Sequence, residues 1–172
     1  LGALREMTGC NTMMGEPARA SCVSQTFRDG DRIQFGNLAL KALHTPGHTD
    51  DSYSFLLVAG SDDTIEENWI FTGDTLLIRG SGRTDFQNGN AGDQYRSIFN
   101  KLLSLPDDTR VYPAHDYKGW TMSTIAEEKA YNPRLQVENE KSYVELMGNL
   151  KLANPKLMDI AVPANLACGN AI

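Results

Sequence analysis

Strand-like and helix-like stretches alternate along this chain, which predicts an α/β layered fold, and three observations carry that prediction. Ile33 and Phe35 alternate with polar residues, Gly36 and Asn37 form a two-residue turn, and Leu38, Leu40 and Ala42 alternate again, which is a β-hairpin signal. Tyr95, Ile98, Phe99, Leu102 and Leu103 fall at helical spacing between two predicted strands. Several short apolar runs end in a turn that carries a histidine or an aspartate, as strand ends do when they deliver a site.

In chain order, Leu1, Leu4 and Met7 before Gly9 predict a short helix. The hairpin of residues 33–42 runs straight into His44. Residues 52–58, aromatic and branched, predict a strand; residues 59–67 predict a polar loop; and residues 69–72 predict a short buried strand followed by Asp74. Residues 80–92 are glycine-rich without apolar periodicity and predict a long loop, which in a compact domain is commonly functional. A helix is predicted over 91–105, with Asp93 near its start and Pro106 just past its end. Residues 110–112 predict a strand closed by Pro113, with His115, Asp116 and Tyr117 beyond it. Thr124 with Glu127, and Ser142 with Glu145, have the spacing of capping boxes that open two further helices, the first stopping by Pro133 and the second near Gly148. After Pro155 the expectation is an irregular tail. No repeat or linker divides the 172 residues, so one domain spanning 1–172 is expected.

The net charge of -6 and the absence of a Lys/Arg run argue against a nucleic acid or an anionic membrane surface as partner. No apolar run approaches the roughly 18 to 20 residues of a membrane-spanning helix, and no signal-peptide pattern opens the chain. Cys10, Cys22 and Cys168 are odd in number and lack CxxC spacing, so three free thiols in a reducing compartment are expected. These observations predict an intracellular, cytoplasmic protein.

All three histidines, His44, His48 and His115, lie at predicted strand ends beside Gly, Pro or Asp, a distribution that favours a metal site over three unrelated structural histidines. Pro46 and Gly47 forbid the helix that would put His44 and His48 on one face, so at most one of the two is expected to be a ligand. Asp74, after Thr72 and Gly73, reads equally well as a ligand or as a turn carboxylate bonded to its own backbone.

HTPGHT (44–49), FTGD (71–74), the stretch from Leu77 to Phe86 that ends in GRTDF, and YPAHDY (112–117) together resemble the metallo-β-lactamase superfamily, and within it the persulfide dioxygenases. NPRL (132–135), MGNL (147–150) and AVPAN (161–165) are similar to the C-terminal region of those enzymes. The resemblance implies a four-layer αββα fold around one Fe(II) held by two histidines and an aspartate, with glutathione persulfide and O2 as substrates. Carried over by motif, His48 and Asp74 are iron ligands, and His115 matches the histidine that binds a second metal in dinuclear relatives. Asp85 and Asp116 become carboxylates that orient the ligands, and Tyr117 a hydrogen-bond donor to bound sulfur or oxygen. Arg83 and Arg79 become clamps for glutathione carboxylates, with loop-anchoring ion pairs as the competing role. His44 is left structural. A homodimer is the assembly expected from the resemblance.

The HxHxDH motif that supplies the other histidine in this superfamily is absent, and Leu1 and Gly2 resemble the residues that follow it. The N-terminal strands of the fold are therefore expected to be missing from this chain. Their source would be a longer gene product or a separate N-terminal fragment of the same protein. Two other functions fit part of the pattern: a glyoxalase-II-type thioester hydrolase with a dinuclear zinc or mixed-metal site, and a non-catalytic truncated remnant.

Overall fold

The computed structural model describes residues 1–59, 68–86, 88–153 and 158–169. These divide into two compact units, one formed by Leu1–Arg28 with Lys151–Ile172 and the other by Asp29–Leu150. The predicted polar loop falls largely on residues 60–67, outside the described residues.

The first unit contains α1 (Gly2–Thr8), ended by Gly9 in the left-handed conformation, and two short parallel strands, β1 (Met13–Gly15) and β2 (Gln25–Phe27). Cys22 and Cys168 are disulfide-bonded and Cys10 is a free, exposed thiol, which corrects the expectation of three free thiols and withdraws the support it gave to a reducing compartment. The two partners lie 146 residues apart, so no local spacing could reveal the pair.

In the second unit, β3 (Arg32–Phe35), β4 (Leu38–His44), β5 (Tyr53–Ala59), β6 (Trp69–Gly73), β9 (Arg110–Pro113) and β10 (Ser123–Thr124) form one sheet in the order β10-β9-β6-β5-β4-β3. Between β6 and β9 in sequence, β7 (Leu76–Leu77) and β8 (Gly80–Ser81) make a minimal hairpin. The predicted turn at Gly36 and Asn37 joins β3 to β4, with Phe35 facing Leu38. Because β4 and β5, and β5 and β6, are antiparallel while β6 and β9 are parallel, β4, β6 and β9 all run in one direction. Their C-terminal ends therefore lie along one edge of the sheet, and those ends carry the three histidine and aspartate motifs.

Helix α2 (Ala91–Arg96) is capped by the Asn90 side chain and continues into a wider π-type turn over Ser97–Leu102. Helix α3 (Ile125–Tyr131) begins with the predicted capping box of Thr124 and Glu127, worth about 1 kcal/mol. Helix α4 (Glu140–Gly148) begins three residues earlier than the sequence suggests: Asn139 is its cap, and Ser142 is the reciprocating third residue of the box. The tail expected to be irregular forms α5 (Met158–Leu166) with Pro163 inside it; proline in a helix interior is disfavoured, which hides this helix from a sequence reading.

The core of the second unit lies between one face of the sheet and α2 with its π-type continuation, α3 and α4. Ile70 and Val111 on neighbouring strands meet Ile98, Leu102, Ile125, Tyr143 and Met147 of the helical layer. Each such side chain contributes about 1.5–3 kcal/mol when fully buried. The alternate residues put Phe55, Phe71 and Tyr112 on the opposite face, with Phe71 and Tyr112 stacked at 5.6 Å between ring centroids. Among the described residues no helix is long and apolar enough to cross a membrane.

Candidate metal centre

The parallel ends of β6 and β9 set the first part of the site. The Ala114 amide donates to the Gly73 carbonyl at 2.9 Å, which puts Asp74 and His115 side by side. His115 Nδ1 then lies 2.7 Å from Asp74 Oδ1; a carboxylate only accepts, so the imidazole N–H is the donor. On the other side, His48 Nε2 lies 3.7 Å from Asp74 Oδ2, too far for a hydrogen bond. Asp74 thus turns one oxygen to each histidine.

The tautomer of His48 follows from its second nitrogen. Nδ1 lies 2.7 Å from the Arg83 carbonyl, an obligatory acceptor, so Nδ1 carries a proton, and in the neutral imidazole Nε2 is the nitrogen left with the lone pair, facing Asp74. Two donors on one metal ion, each about 2.1 Å from it, are about 3.0 to 3.4 Å apart at octahedral or tetrahedral angles, and the observed 3.7 Å is only a few tenths of an ångström wider. A small closing movement would let His48 and Asp74 share a metal. Among the described residues no group of three His, Cys, Asp or Glu side chains is disposed to hold one together, and His115 bonds the aspartate instead.

Glycines permit the close approach of the loops. A Cβ on Gly82 would overlap the Asp74 carbonyl oxygen and stand 3.0 Å from the His48 ring. Gly47 has φ +143, and a Cβ there would overlap the backbone and Cβ of Gln94. The Gly82 amide donates to the Asp74 carbonyl at 2.9 Å, tying the GRTDF loop to the aspartate turn. Thr75 Oγ1 donates to the Thr45 carbonyl at 3.2 Å, joining that turn to the loop of His48. No sequence pattern singles out Gln94, and Gly82 stands out only as part of GRTDF and of the glycine-rich stretch 80–92.

Other candidates have partners that redefine their roles. Arg83 makes a two-pronged pair with Asp85, both N···O distances 2.7 Å, and its guanidinium lies 4.2 Å from the centroid of the Phe86 ring. That hydrogen bond holds the Asp85 carboxyl below its usual range. The group that orients His48 is the Arg83 carbonyl rather than the Asp85 carboxylate, which corrects the direct role expected of Asp85. Arg79 is committed to the buried Glu128 carboxylate and to Ser123, the latter at 3.0 Å, so the structure gives it the loop-anchoring role and not the clamp. Asp116 is likewise engaged by its own loop. Its Oδ2 accepts from the amides of Lys118, Gly119 and Trp120. Desolvation alone would raise its carboxyl, but the three amides together outweigh that and leave it below the usual range. Tyr117 is 84% exposed, with its ring parallel to that of His115. His44 is held structurally, its Nε2 2.9 Å from the Asp50 carbonyl.

Residues 15–115 match the model of the metallo-beta-lactamase superfamily, and a crystal structure of ETHE1 from Myxococcus xanthus superposes with a TM-score of 0.89 at 50% identity, covering 98% of this chain and 71% of that one. This chain belongs to the metallo-beta-lactamase superfamily. It is 44% identical over 169 residues to the human persulfide dioxygenase ETHE1, a mitochondrial protein, covering 98% of this chain and 63% of that relative. It is also 35% identical over 167 residues to a probable metallo-hydrolase of Burkholderia pseudomallei, covering 89% of this chain and 56% of that relative. The chain thus spans less than two thirds of the length of these curated relatives. Membership of this superfamily implies a metal cofactor, and the fold expected from the motifs is the one found.

Proposed function

We propose that the protein carrying this chain is a persulfide dioxygenase that converts glutathione persulfide, O2 and water to glutathione and sulfite at a mononuclear Fe(II) centre. The observation that supports it most is the likeness to persulfide dioxygenases along nearly the whole chain. In this reading His48 Nε2 and Asp74 Oδ2 are iron ligands, and a further ligand lies outside these residues. Bound Fe(II) would supply the redox chemistry with O2.

The chain's own groups do the positioning. The Arg83 carbonyl keeps a proton on His48 Nδ1, and His115 orients the Asp74 carboxylate by donating to Oδ1. Tyr117, exposed beside His115, hydrogen-bonds the substrate sulfur or oxygen. Arg83 is the candidate clamp for a glutathione carboxylate, which would compete with Asp85 for the same guanidinium fork. The reaction belongs in the cytoplasm, or in the mitochondrial matrix of a eukaryote.

A glyoxalase-II-type hydrolase with a dinuclear zinc site is the second reading, favoured by the position of His115 against Asp74, where a ligand to a second metal would stand. Oxygen uptake separates the two. The iron-loaded protein should consume O2 and release sulfite when given glutathione persulfide, and leave S-lactoylglutathione intact. Thioester hydrolysis without oxygen uptake would transfer the assignment to the hydrolase, and neither activity would leave a non-catalytic remnant.

A further inference from the structure

The two loops that meet at the candidate metal centre share one buried residue. Gln94 on α2 has no exposed surface. Its Nε2 donates to the Gly82 carbonyl at 3.1 Å, and its Oε1 accepts from the Tyr143 hydroxyl at 2.8 Å. Its backbone and Cβ fill the space beside Gly47, the residue before His48. The neighbouring turns of the same helix add two more ties to this loop: the Asn90 amide donates to the Gly47 carbonyl at 2.8 Å, and Ser97 Oγ donates to the Pro46 carbonyl at 2.7 Å. Gly82, in turn, lies against the His48 ring and bonds the Asp74 carbonyl.

Tyr143, on α4, is fully buried, with Ser81 Oγ 3.2 Å from its hydroxyl. Burial pushes the phenol up to about 12, so at neutral pH it remains a donor. The Gly82 carbonyl fixes the orientation of the buried amide, because a carbonyl only accepts and reversing the amide would set Oε1 against it. The network runs from α4 through Gln94 on α2 to two loops, the one before His48 and the one after Ser81.

We infer that Gln94, locked by Tyr143, is a positioning residue that sets the separation of His48 and Asp74 by bracing Gly82 from one side and Gly47 from the other. The inference rests on the reading of His48 and Asp74 as metal ligands. It assigns to the α2 and α4 layer the geometry of the centre in addition to core packing.

The test is titration of the metal-stripped protein with Co(II), following its visible absorption, in the wild type, in Gln94→Leu, in Tyr143→Phe and in the double variant. Gln94→Leu should weaken Co(II) binding about 10- to 100-fold and change the shape of the spectrum, as loss of outer-shell support does at other metal sites. Tyr143→Phe should weaken it less, since the Gly82 bond remains. In the double variant the Gln94–Tyr143 bond loses both partners at once and only the Gly82 carbonyl is left without its donor, so thermal stability without metal should recover part of the way toward the wild type while Co(II) binding stays weak. That divergence separates positioning from a merely structural role. Wild-type Co(II) affinity and spectrum in Gln94→Leu, or their recovery with stability in the double variant, would overturn the inference alone. A wild-type protein that takes up no metal would overturn both this inference and the ligand assignment beneath it.

Discussion

The two flanks of the candidate centre are held in different ways. On the His48 flank, Gly47 and Gly82 are pressed against neighbours with no room for a Cβ, and buried Gln94, Tyr143 and Thr75 tie the loops together. On the His115 flank, the histidine is 57% exposed, and the segment after it is held by Asp116 accepting from three amides of its own loop. The first flank fixes coordinates through packing. The second is a rim that can adjust to what enters, and mobile, lightly packed rims are where substrates are commonly met.

The largest effect that would break this contrast is expected at Gly82. Gly82→Ala forces a methyl group into the Asp74 carbonyl and the His48 ring, so overpacking of about 1–3 kcal/mol should appear in denaturant unfolding. Metal affinity should fall with it. Unchanged stability and metal affinity would mean that the braced flank is looser than its contacts imply. A smaller and more local change is expected across the site. Asp116→Ala should speed hydrogen exchange at the amides of Lys118, Gly119 and Trp120 while leaving metal affinity as in the wild type; a lost metal would place Asp116 in the braced set.

The smallest effect concerns Asp85. Its carboxyl is held below the usual range by Arg83, so the ionised form is favoured in the fold. The resulting stabilisation is present above the ordinary carboxylate pKa and is lost as pH falls from there through the lowered value. Because the Asp85 side chain is 54% exposed, the contribution should stay under about 1 kcal/mol. Asp85→Asn should flatten that part of the stability profile measured against pH, and a profile identical to the wild type would remove the Arg83 pair from the account.

Much of this arrangement is legible in the sequence. The hairpin around Gly36 and the strand ends before Asp74 and His115 follow from period-two patterning and turn residues, and the helix at Thr124 follows from its capping box. The motifs also point to His48 and Asp74, which the sheet brings together because β4, β6 and β9 run the same way. What escapes a sequence reading depends on contacts distant along the chain. Gln94 meets Tyr143 across 49 residues and Arg79 meets Glu128 across 49, and neither pair leaves a local pattern. The motifs of Asp85 and Asp116 suggest a place near the ligands, but which hydrogen bonds a carboxylate accepts depends on the turn it sits in. Cys22 and Cys168 show the same limit at a separation of 146 residues.

Elemental analysis of the purified protein and its single-site variants tests the central claim most directly. The account predicts that His48→Ala and Asp74→Ala each lose the bound metal, while His115→Ala retains it with weakened affinity, since His115 supports Asp74 through a hydrogen bond. Wild-type metal content in His48→Ala or Asp74→Ala would contradict it.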